Sequence, residues 1–510
     1  MTQPDVLIVG AGPTGLVLAL SLARQGIRFR IIDRASGSGQ ASRALAVHAR
    51  TLEFYRQLGF ADEVVARGVQ VRTIRMRQGG RDRARADFSD MGAGLSPYPF
   101  ILVFPQDDHE RFLIEQLNAV GVAVEWNVAL ADLTPDDEGV TVVLNPADDA
   151  PETVRVAYLV GCDGVHSRVR ESLKIDFPGG TYDQIFYVAD VMAGGAGIDD
   201  LSVSLDADGF VLMMPVRSRG ARRLVGVMPS TAQAEGAPTI EAVRPLVERL
   251  LGLRIDQVNW FSTYHVHHRV ATRFRVGRCF LAGDAGHVHS PAGGQGMNTG
   301  IGDAFNLAWK LAQTIQGRIG PAVLDTYETE RIAFARTLVA STDRAFQGIV
   351  GTGVVGRLIR TLLAPRVLGT VTRFAAGRRA MFKAISQIRV AYRDSALSEG
   401  RAGRVRAGDR LPWVAEADGL ADNFAALRSC RWQAHVYGET TAEVKTALAA
   451  AGVPLHVFAW STRAVAAGLK RGAVYLVRPD GHVALATDQP DDTTLAAYIK
   501  RWRLASSTRG

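Results

Sequence analysis

The stretch Asp5–Asp33, DVLIVGAGPTGLVLALSLARQGIRFRIID, constrains the fold of this chain more than any other feature. Val6–Val9 is a continuous apolar run, as in a buried parallel strand. A glycine-rich turn and a segment with helical periodicity follow, and a second apolar strand ends at Asp33. Strand, glycine turn, helix, strand and acid in this order predict the first βαβ unit of an α/β domain that binds a dinucleotide.

Each glycine of the turn has its own physical task. Gly10 permits the tight turn, Gly12 lets the backbone approach a pyrophosphate, and Gly15 allows the helix to pack closely on the strand. The N-terminus of the helix offers free N–H groups and a positive dipole end to phosphates. Asp33 is placed to accept hydrogen bonds from ribose hydroxyls, which favours FAD or NAD over NADP at this site.

Composition narrows the class of protein. The 510 residues exceed a single core of roughly 100–200 residues, so we expect two or three domains. The net charge of +8 arises without a run of five basic residues, which indicates a solvated surface and no nucleic-acid partner. Three cysteines without a CxxC motif favour a reducing, cytoplasmic location. We expect no signal peptide and no membrane span, because no window offers roughly 18 apolar residues.

The middle and the end of the chain follow other patterns. From about 183 to 269 apolar and polar residues alternate between turns, which predicts an antiparallel sheet. Ile349–Val371 is apolar but interrupted by glycine and arginine, and we interpret it as a packed helix pair. The polar, glycine-rich stretch Ser398–Trp413 marks a boundary before a separate C-terminal unit. A roomy apolar pocket is suggested by Phe210, Leu212, Met213, Met214 and Trp260.

The segment Leu281–Asn298, LAGDAGHVHSPAGGQGMN, admits two interpretations. Asp284, His287 and His289 could form the carboxylate and two-histidine set of a non-haem iron oxygenase. The glycines instead suit a backbone that lies against a flat or phosphorylated ligand. A metal site would leave both GGQGMN and the N-terminal dinucleotide unit unexplained. We therefore favour a flavin and expect no metal.

Three motifs in order resemble a known family. GAGPTG at Gly10–Gly15, CDG at Cys162–Gly164 and GDAGHVHSPAGGQGMNTGIGDAFNLAWKL from Gly283 are similar to the single-component flavoprotein aromatic hydroxylases, the relatives of para-hydroxybenzoate hydroxylase and phenol hydroxylase. The similarity covers essentially the whole chain. It is strongest to the bacterial phenylpropionate and aromatic-polyketide hydroxylases, which carry a thioredoxin-like C-terminal domain. It implies non-covalent FAD as cofactor and NAD(P)H as a transient reductant.

The resemblance also implies roles for individual residues. Asp33 takes the ribose position, where the family usually has glutamate, and Asp284 matches the residue that holds a ribityl hydroxyl. The backbone N–H groups from Gly294 to Asn298 would face the anionic edge of reduced flavin. The complete predicted cofactor set is Gly10, Gly12, Pro13, Thr14, Gly15, Asp33, Arg34, Arg43, Gln106, Asp163, Gly164, Asp284, Pro291, Gly294, Gln295, Gly296, Met297 and Asn298.

The implied reaction places the difficult chemistry on the cofactor. NAD(P)H reduces FAD, O₂ gives a flavin C4a-hydroperoxide, and one oxygen atom passes to a phenolic or polyketide-type aromatic substrate. The phenol hydroxylases have an aspartate near the segment that matches Leu45–His48, but this chain has no acid there. The catalytic residue is therefore unknown, with His48, Tyr187 and Pro291 as candidates.

Other activities are compatible with the same motifs. Baeyer–Villiger oxidation and epoxidation share the three motifs, and a flavin-binding or redox-sensing protein without turnover would share the cofactor. A flavin halogenase is not supported, because no WxWxIP motif occurs. The sequence allows either a monomer or a homodimer.

The predicted fold class is α/β, with a multi-domain α+β arrangement. A Rossmann-like FAD-binding domain (1–180 and 270–395) is interleaved with an antiparallel-sheet substrate domain (181–269), to which 75–105 contributes. A thioredoxin-like domain (400–510) completes the chain. Because it lacks CxxC, we expect it to dock or to dimerise and not to perform redox chemistry.

Overall fold

The computed structural model describes residues 3–39, 44–195, 199–206, 209–216, 220–229, 239–350, 361, 364–415, 421–488 and 492–504. Its helices are α1 Pro13–Arg24, α2 Ala49–Leu58, α3 Ala61–Arg67, α4 Gln106–Ala119, α5 Arg168–Ser172, α6 Arg244–Leu251, α7 Gly296–Ile315, α8 Asp325–Val350, α9 Ala364–Val371, α10 Ala375–Ile385, α11 Ala442–Ala450, α12 Thr462–Ala467 and α13 Asp492–Trp502. Short 3₁₀ turns are Ile240–Ala242, Gly283–Ala285, Ala292–Gly294, Pro321–Leu324 and Ala425–Ser429.

The strands of the N-terminal half are β1 Val6–Val9, β2 Phe29–Asp33, β3 Ala46–Val47, β4 Val69–Val71, β5 Thr73–Gln78, β6 Arg81–Asp87, β7 Ile101–Val103, β8 Glu125–Trp126, β9 Val128–Pro135, β10 Val140–Pro146, β11 Glu152–Val156, β12 Tyr158–Gly161 and β13 Gly179–Gly194. Those of the C-terminal half are β14 Leu201–Asp206, β15 Gly209–Pro215, β16 Ala221–Val227, β17 Arg254–Val270, β18 Arg275–Val276, β19 Cys279–Leu281, β20 His287–Val288, β21 Glu399–Ala402, β22 Val405–Arg406, β23 Gln433–Tyr437, β24 Leu455–Phe458, β25 Val474–Val477 and β26 Val483–Thr487.

The first sheet is the predicted nucleotide-binding sheet. Its order is β18-β19-β12-β1-β2-β8, and every pair except β18 with β19 is parallel. β1, β12 and β19 are fully buried, as their continuous apolar sequences require for strands covered on both faces. The α/β fold class predicted from the first 33 residues is confirmed.

The second large sheet has the order β20-β17-β13-β16-β15-β14-β5-β6. It is antiparallel except for the pair β14 and β5, so strands from about 73 to 87 join those from the predicted substrate region. Helix α6 packs on one face through Val247, Leu250 and Leu251. Helix α8 packs on the other face, where the ring of Phe346 lies 5.2 Å from that of Phe186.

The C-terminal unit has its own sheet, in the order β22-β21-β26-β25-β23-β24. β23 and β24 are parallel, whereas β25 is antiparallel to both of its neighbours. Helices α11, α12 and α13 connect or follow these strands. This topology is compatible with the thioredoxin-like domain that the resemblance implies, and that assignment stays a prediction, as do the domain boundaries.

A buried set of charges joins this unit to the first domain. This interdomain ion cluster consists of Lys310, Glu330, Arg478 and Asp480, whose side chains are at most 2% exposed. Arg478 donates to both oxygens of Glu330 at 2.7 and 3.0 Å and to Asp480 at 2.5 Å, while Lys310 donates to Glu330 at 2.8 Å. Lys310 lies on α7, so the C-terminal unit is tied to the helix that begins at the GGQGMN loop.

Two predictions fall outside or partly outside the described ranges. Arg43 is one, and most of the helix pair predicted across 349–371 is the other, since only the end of α8 and the whole of α9 are described there. Among the described helices, none combines the length and the apolar composition that a membrane crossing requires.

Candidate functional site

The three sequence motifs meet at one edge of the parallel sheet. β1, β12 and β19 are successive neighbours, and each is followed directly by one motif: GAGPTG, CDG or the segment that starts with Gly283. Open α/β sheets bind their ligands at the carboxyl ends of the strands. Motifs that lie more than a hundred residues apart in the chain therefore form a single candidate site.

The glycines of the first turn divide into two kinds. A Cβ on Gly10, which has φ +107°, would lie 2.3 Å from the carbonyl oxygen of Cys162, and one on Gly15 would lie 1.9 Å from the carbonyl oxygen of Gly10. These two glycines are required by contacts within the protein. A Cβ on Gly12 would meet no protein atom within 4 Å. Gly12 thus borders open space, as expected where a ligand approaches the backbone.

The start of α1 is free to bind an anion. Gly12 is the N-cap and makes no side-chain cap bond, Pro13 has no N–H, and the first turn has no acidic residue. Asp33 lies at the mouth of the turn, where its carboxylate accepts hydrogen bonds from Ala11 N at 2.7 Å and Ala35 N at 2.9 Å. These bonds fix the carboxylate and leave it further lone pairs for a ribose. Arg34 is exposed beside it.

Gln106 begins α4 and is held by its protein neighbours. Its Oε1 accepts from Ala44 N at 3.2 Å, and its Nε2 donates to Glu110 at 2.9 Å. Glu110 also accepts from Gly39 N at 3.1 Å, and burial raises the pKa of its carboxyl. Glu110 was not predicted from the sequence. It orders the loop after β2 and, through Gln106, the chain that follows Arg43.

The CDG motif connects β12 to α5. Asp163 accepts the Ser167 hydroxyl at 2.6 Å and Val169 N at 3.2 Å, so its carboxylate holds the start of α5. Burial raises the pKa of Asp163. Gly164 has φ +79°, and a Cβ there would meet no protein atom within 4 Å. Of the two predicted residues, Gly164 borders open space, whereas Asp163 holds the adjacent start of α5 in place.

Thr14 packs the GAGPTG turn against the segment that starts with Gly283. A Cβ on Gly283 would lie 2.5 Å from Thr14 Oγ1, and one on Gly300 would lie 2.3 Å from the same atom. The start of α1, the turn that carries Asp284 and the start of α7 are therefore in direct contact. Asp284 itself is exposed in that 3₁₀ turn.

The side chain of Asn298, which is 0% exposed, fixes the GGQGMN loop to the segment of β3 and α2. The Asn298 side chain accepts from His48 N at 2.9 Å and from Thr51 Oγ1 at 2.7 Å, and it donates to Ala46 O and Gly294 O. Its contribution to a flavin site would thus be through the backbone. The N-cap of α7 makes no side-chain cap bond, and its first turn has no acid, so the positive end of this helix is available.

The other predicted loop residues differ in exposure. Pro291 is exposed, Gly294, Gly296 and Met297 are half-buried, and Gln295 is buried. The Gln295 side chain donates to Ile385 O at 2.9 Å. Gly294 has φ +63°, and a Cβ there would lie 2.9 Å from Ala46 Cβ. Only glycine at this position therefore lets the loop pack this closely against Ala46 of β3.

His48 is the candidate base nearest to the loop. Its Nε2 lies 3.0 Å from Gly293 O, and burial lowers its pKa to about 4. The ring is therefore neutral at pH 7, carries its hydrogen on Nε2 and fastens the loop.

Tyr187, the second catalytic candidate, lies in the core of the eight-stranded sheet. It is fully buried on the α6 face of the eight-stranded sheet, with its ring stacked on Phe261, whereas the ring of the adjacent Phe186 packs against Phe346 of α8. Alternation along the strand therefore places Tyr187 and Phe186 on opposite faces of the sheet, with Tyr187 on the face covered by α6. His48 and Pro291 stay as the candidates that the geometry brings to this site.

Asp303 is a site residue that sequence reasoning missed. It is 0% exposed on α7 and accepts hydrogen bonds from Gly283 N at 2.9 Å, His287 Nε2 at 2.7 Å and Arg331 Nε at 2.5 Å. Burial alone would raise the pKa of Asp303, but Arg331 and His287 lower it. The available signal was a lone acid within the helical run that follows GGQGMN. Asp303 joins the Asp284 turn, α7 and α8.

His287 and His289, the two histidines of this segment, both have partners within the protein. His287 is the buried partner of Asp303. His289 directs Nδ1 to Ser290 O at 2.8 Å, and burial lowers its pKa to about 4. Within the ranges that the structure describes, no cluster of three or more His, Cys, Asp or Glu side chains is arranged to hold a metal ion.

The two kinds of glycine give a testable contrast. Gly12→Ala is expected to weaken FAD binding about tenfold and to cost the apoprotein at most about 1 kcal/mol. Gly15→Ala is expected to lower the free energy of unfolding by about 1–3 kcal/mol or more, because its methyl overlaps backbone. Urea unfolding of the apoproteins and FAD titration would separate the two effects. Equal losses of stability in both variants would contradict the assignment of Gly12 to ligand contact.

Comparison with known proteins adds three findings. Residues 3–342 match the family described as FAD binding domain. The chain is 35% identical to 6-methylpretetramide 4-monooxygenase of Streptomyces rimosus, over 98% of this chain and 94% of the relative, and 33% identical to pentachlorophenol 4-monooxygenase of Sphingobium chlorophenolicum, over 87% and 81%. The fold is similar to that of the flavin-dependent monooxygenase PieE in complex with FAD and substrate, with a TM-score of 0.81 and 26% identity over 98% of both chains.

Proposed function

The chain belongs to the FAD binding domain family and is an FAD-dependent monooxygenase of the single-component aromatic hydroxylase type, and from this premise we propose that it hydroxylates a phenolic or polyketide-type aromatic compound and consumes NAD(P)H and O₂. One observation carries the proposal. The GAGPTG, CDG and GGQGMN motifs lie at a single sheet edge, where Gly12 and Gly164 border open space. The segments predicted to contact the nucleotide and the flavin are thus adjacent.

The residues at this edge fit FAD. The start of α1 would hold the pyrophosphate, Asp33 a ribose hydroxyl and Asp284 a ribityl hydroxyl. The start of α7 and the loop from Gly294 would meet the pyrimidine edge of the ring. When bound, FAD takes electrons from NAD(P)H and uses O₂ to oxygenate the substrate.

The protein contributes positioning and electrostatics. The uncapped start of α7 stabilises negative charge next to the loop, and it does so without reorganisation because Asn298 and Asp303 fix the helix in place. Neutral His48 holds Gly293 through its Nε2–H and adds no positive charge. These groups therefore contribute to the site by orienting it, through hydrogen bonds and the dipole of α7.

The substrate surface proposed from the sequence needs one correction. Leu212 and Met214 alternate with Met213 along β15, so they lie on the opposite face of the sheet. Met213 packs with Tyr187 in the α6 cluster. Met214 pairs across the sheet with Arg223, whose guanidinium lies 5.8 Å from the ring of Trp260. The apolar residues of the predicted set that share the face opposite α6 are therefore Phe210, Leu212, Met214 and Trp260.

Purification and turnover test the proposal. The protein should be yellow and release FAD on denaturation. A panel of phenols and polyketide aromatics should include compounds that stimulate NAD(P)H oxidation and gain one hydroxyl group. A lactone or an epoxide product would instead show one of the alternative oxygenations. Retained iron without FAD would contradict the proposal altogether.

Asp284 gives a further prediction. Asp284→Ala is expected to weaken FAD binding about 10- to 100-fold, the typical effect of losing a hydrogen bond to a charged group. Titration of apoprotein with FAD measures this change. Asp137→Ala, which removes an exposed aspartate in the turn between β9 and β10, is the matched control. Wild-type affinity in Asp284→Ala would show that this carboxylate does not touch the cofactor.

A further inference from the structure

A second concave site lies away from the motif edge. This basic cleft, of about 850 Å³, separates α10 and residues 388–393 from residues 404–415 and 463–467 of the C-terminal unit. Pockets that hold ligands of the size of a drug or a cofactor commonly measure roughly 300–1,000 Å³. The cleft is therefore large enough for a ligand with several fused rings.

The charges that line the cleft are unbalanced. Arg379, Lys383 and Arg389 have no hydrogen-bond or ion-pair partner in the part of the chain that the structure describes, and two of the three are exposed. The acid in the lining, Asp409, already accepts from Arg393 at 2.8 Å. Uncompensated cations in a concave surface concentrate anions from solution. The cleft is thus suited to a negatively charged ligand.

The floor of the cleft is apolar and aromatic. Ile388, Val405 and Val414 are at most 9% exposed. The half-buried Trp413 also lines the cleft, and its indole is held in place by a 2.8 Å hydrogen bond from Nε1 to Asp422. A fixed indole among buried aliphatic side chains favours a flat apolar body, whereas the surrounding cations favour an acidic group. Together they match an aromatic anion.

The wall of the cleft is connected to the flavin loop. Gln387 precedes Ile388, is 8% exposed and has φ +59°, a conformation that a residue with a side chain rarely adopts. Its Nε2 donates to Gln295 Oε1 at 2.7 Å and to Thr299 Oγ1 at 3.0 Å. The segment that lines the cleft is therefore hydrogen-bonded to the predicted site of the flavin ring.

We propose that the basic cleft binds the anionic form of the aromatic substrate, as an ionised enol, phenol or carboxylate, on its way to the motif edge. The inference rests on the proposed function and adds that the substrates are acidic aromatics. Arg379, Lys383 and Arg389 attract the anionic group, and Trp413 stacks on the ring system.

The test is a binding titration on the FAD-loaded protein. The probes are anthraquinone-2-carboxylate and the neutral anthraquinone-2-carboxamide, which differ in charge but hardly in shape. The double variant Lys383→Glu/Arg389→Glu is expected to weaken binding of the carboxylate about tenfold or more at low salt and to leave carboxamide binding nearly unchanged. Arg83→Glu/Arg85→Glu, with the same charge change on exposed residues of β6, should alter neither affinity.

Unchanged carboxylate affinity in the cleft variant would overturn the proposal. So would a raised KM for NADPH with unchanged carboxylate binding, since the cleft would then receive the dinucleotide. If charge reversal impairs folding, Lys383→Gln/Arg389→Gln gives the same comparison with a smaller expected loss. Binding needs no turnover. A protein that binds the carboxylate through the cleft but hydroxylates no aromatic would therefore contradict the proposed function and not the cleft.

Discussion

Replacing Asp303 by alanine is expected to lower the free energy of unfolding by about 3–5 kcal/mol, the usual cost of removing one partner from a buried ion pair. The variant leaves Arg331, 2% exposed, without its carboxylate and removes the acceptor for Gly283 N and His287. FAD retention should fall as well, because Asp303 holds the Asp284 turn against α7. Urea unfolding with and without FAD would measure both effects.

A surface ion pair provides the control for this variant. Asp5 pairs with Arg28, which is 57% exposed, and exposed pairs of this kind contribute about 0–1 kcal/mol. Asp5→Ala should therefore change stability little and leave FAD binding intact. If Asp303→Ala were as stable as Asp5→Ala and kept its FAD, Asp303 would not be the residue that organises the site.

Arg478→Met is expected to cost about 3–5 kcal/mol as well. The variant leaves Glu330 and Asp480 buried with their main cationic partner removed. Because Arg478 belongs to the C-terminal unit and Glu330 to α8, the loss should appear as weaker attachment of that unit, seen by limited proteolysis near Ser398–Trp413 and by urea unfolding. Arg501→Met, which removes a pair with Glu399 that is 57% and 39% exposed, is the matched control. Equal stability of the two variants would show that the ion cluster does not hold the unit.

The same cluster predicts an acid-sensitive stability. Burial alone would raise the pKa of Glu330, but Arg478 and Lys310 outweigh it and bring the value down to about 2, from 4.5 in the unfolded chain. A lowered carboxyl pKa stabilises the fold fully above the unfolded value, and this contribution is lost as pH falls through the folded value. Unfolding free energy should therefore decline between about pH 4.5 and pH 2. The decline should be shallower in Arg478→Met, where the pKa of Glu330 is no longer lowered by Arg478.

Local patterns were sufficient to predict the parts of the site that depend on short segments. The turn at Gly10–Gly15 could be predicted because strand, glycines and helix follow one another, and the close contacts of Gly10 and Gly15 agree with their predicted roles in the turn and in helix packing. Asp303 and Arg478 could not be predicted in the same way. Their partners come from distant segments, and only the assembled fold shows that each charge is buried beside another.

The face of the second sheet on which each side chain lies could also not be predicted from the sequence. Tyr187 and Met213 are aromatic or apolar residues in strands, and composition alone does not say which face they occupy. The register of β13 against β16 and β17 decides it, and a shift by one residue exchanges the two faces. The apolar content of this region could be seen in the sequence, whereas the assignment of each residue to one face of the sheet needed the structure.

Oxygen transfer to an aromatic substrate is the central claim, and one isotope measurement tests it most directly. The FAD-loaded protein is given NADPH, isotopically labelled O₂ and the aromatic compound that best stimulates NADPH oxidation. We expect one labelled oxygen atom in a hydroxyl group of the product, in proportion to the NADPH consumed. Consumption of NADPH with an unlabelled or unchanged aromatic, across the whole panel of phenols and polyketide aromatics, would contradict the claim.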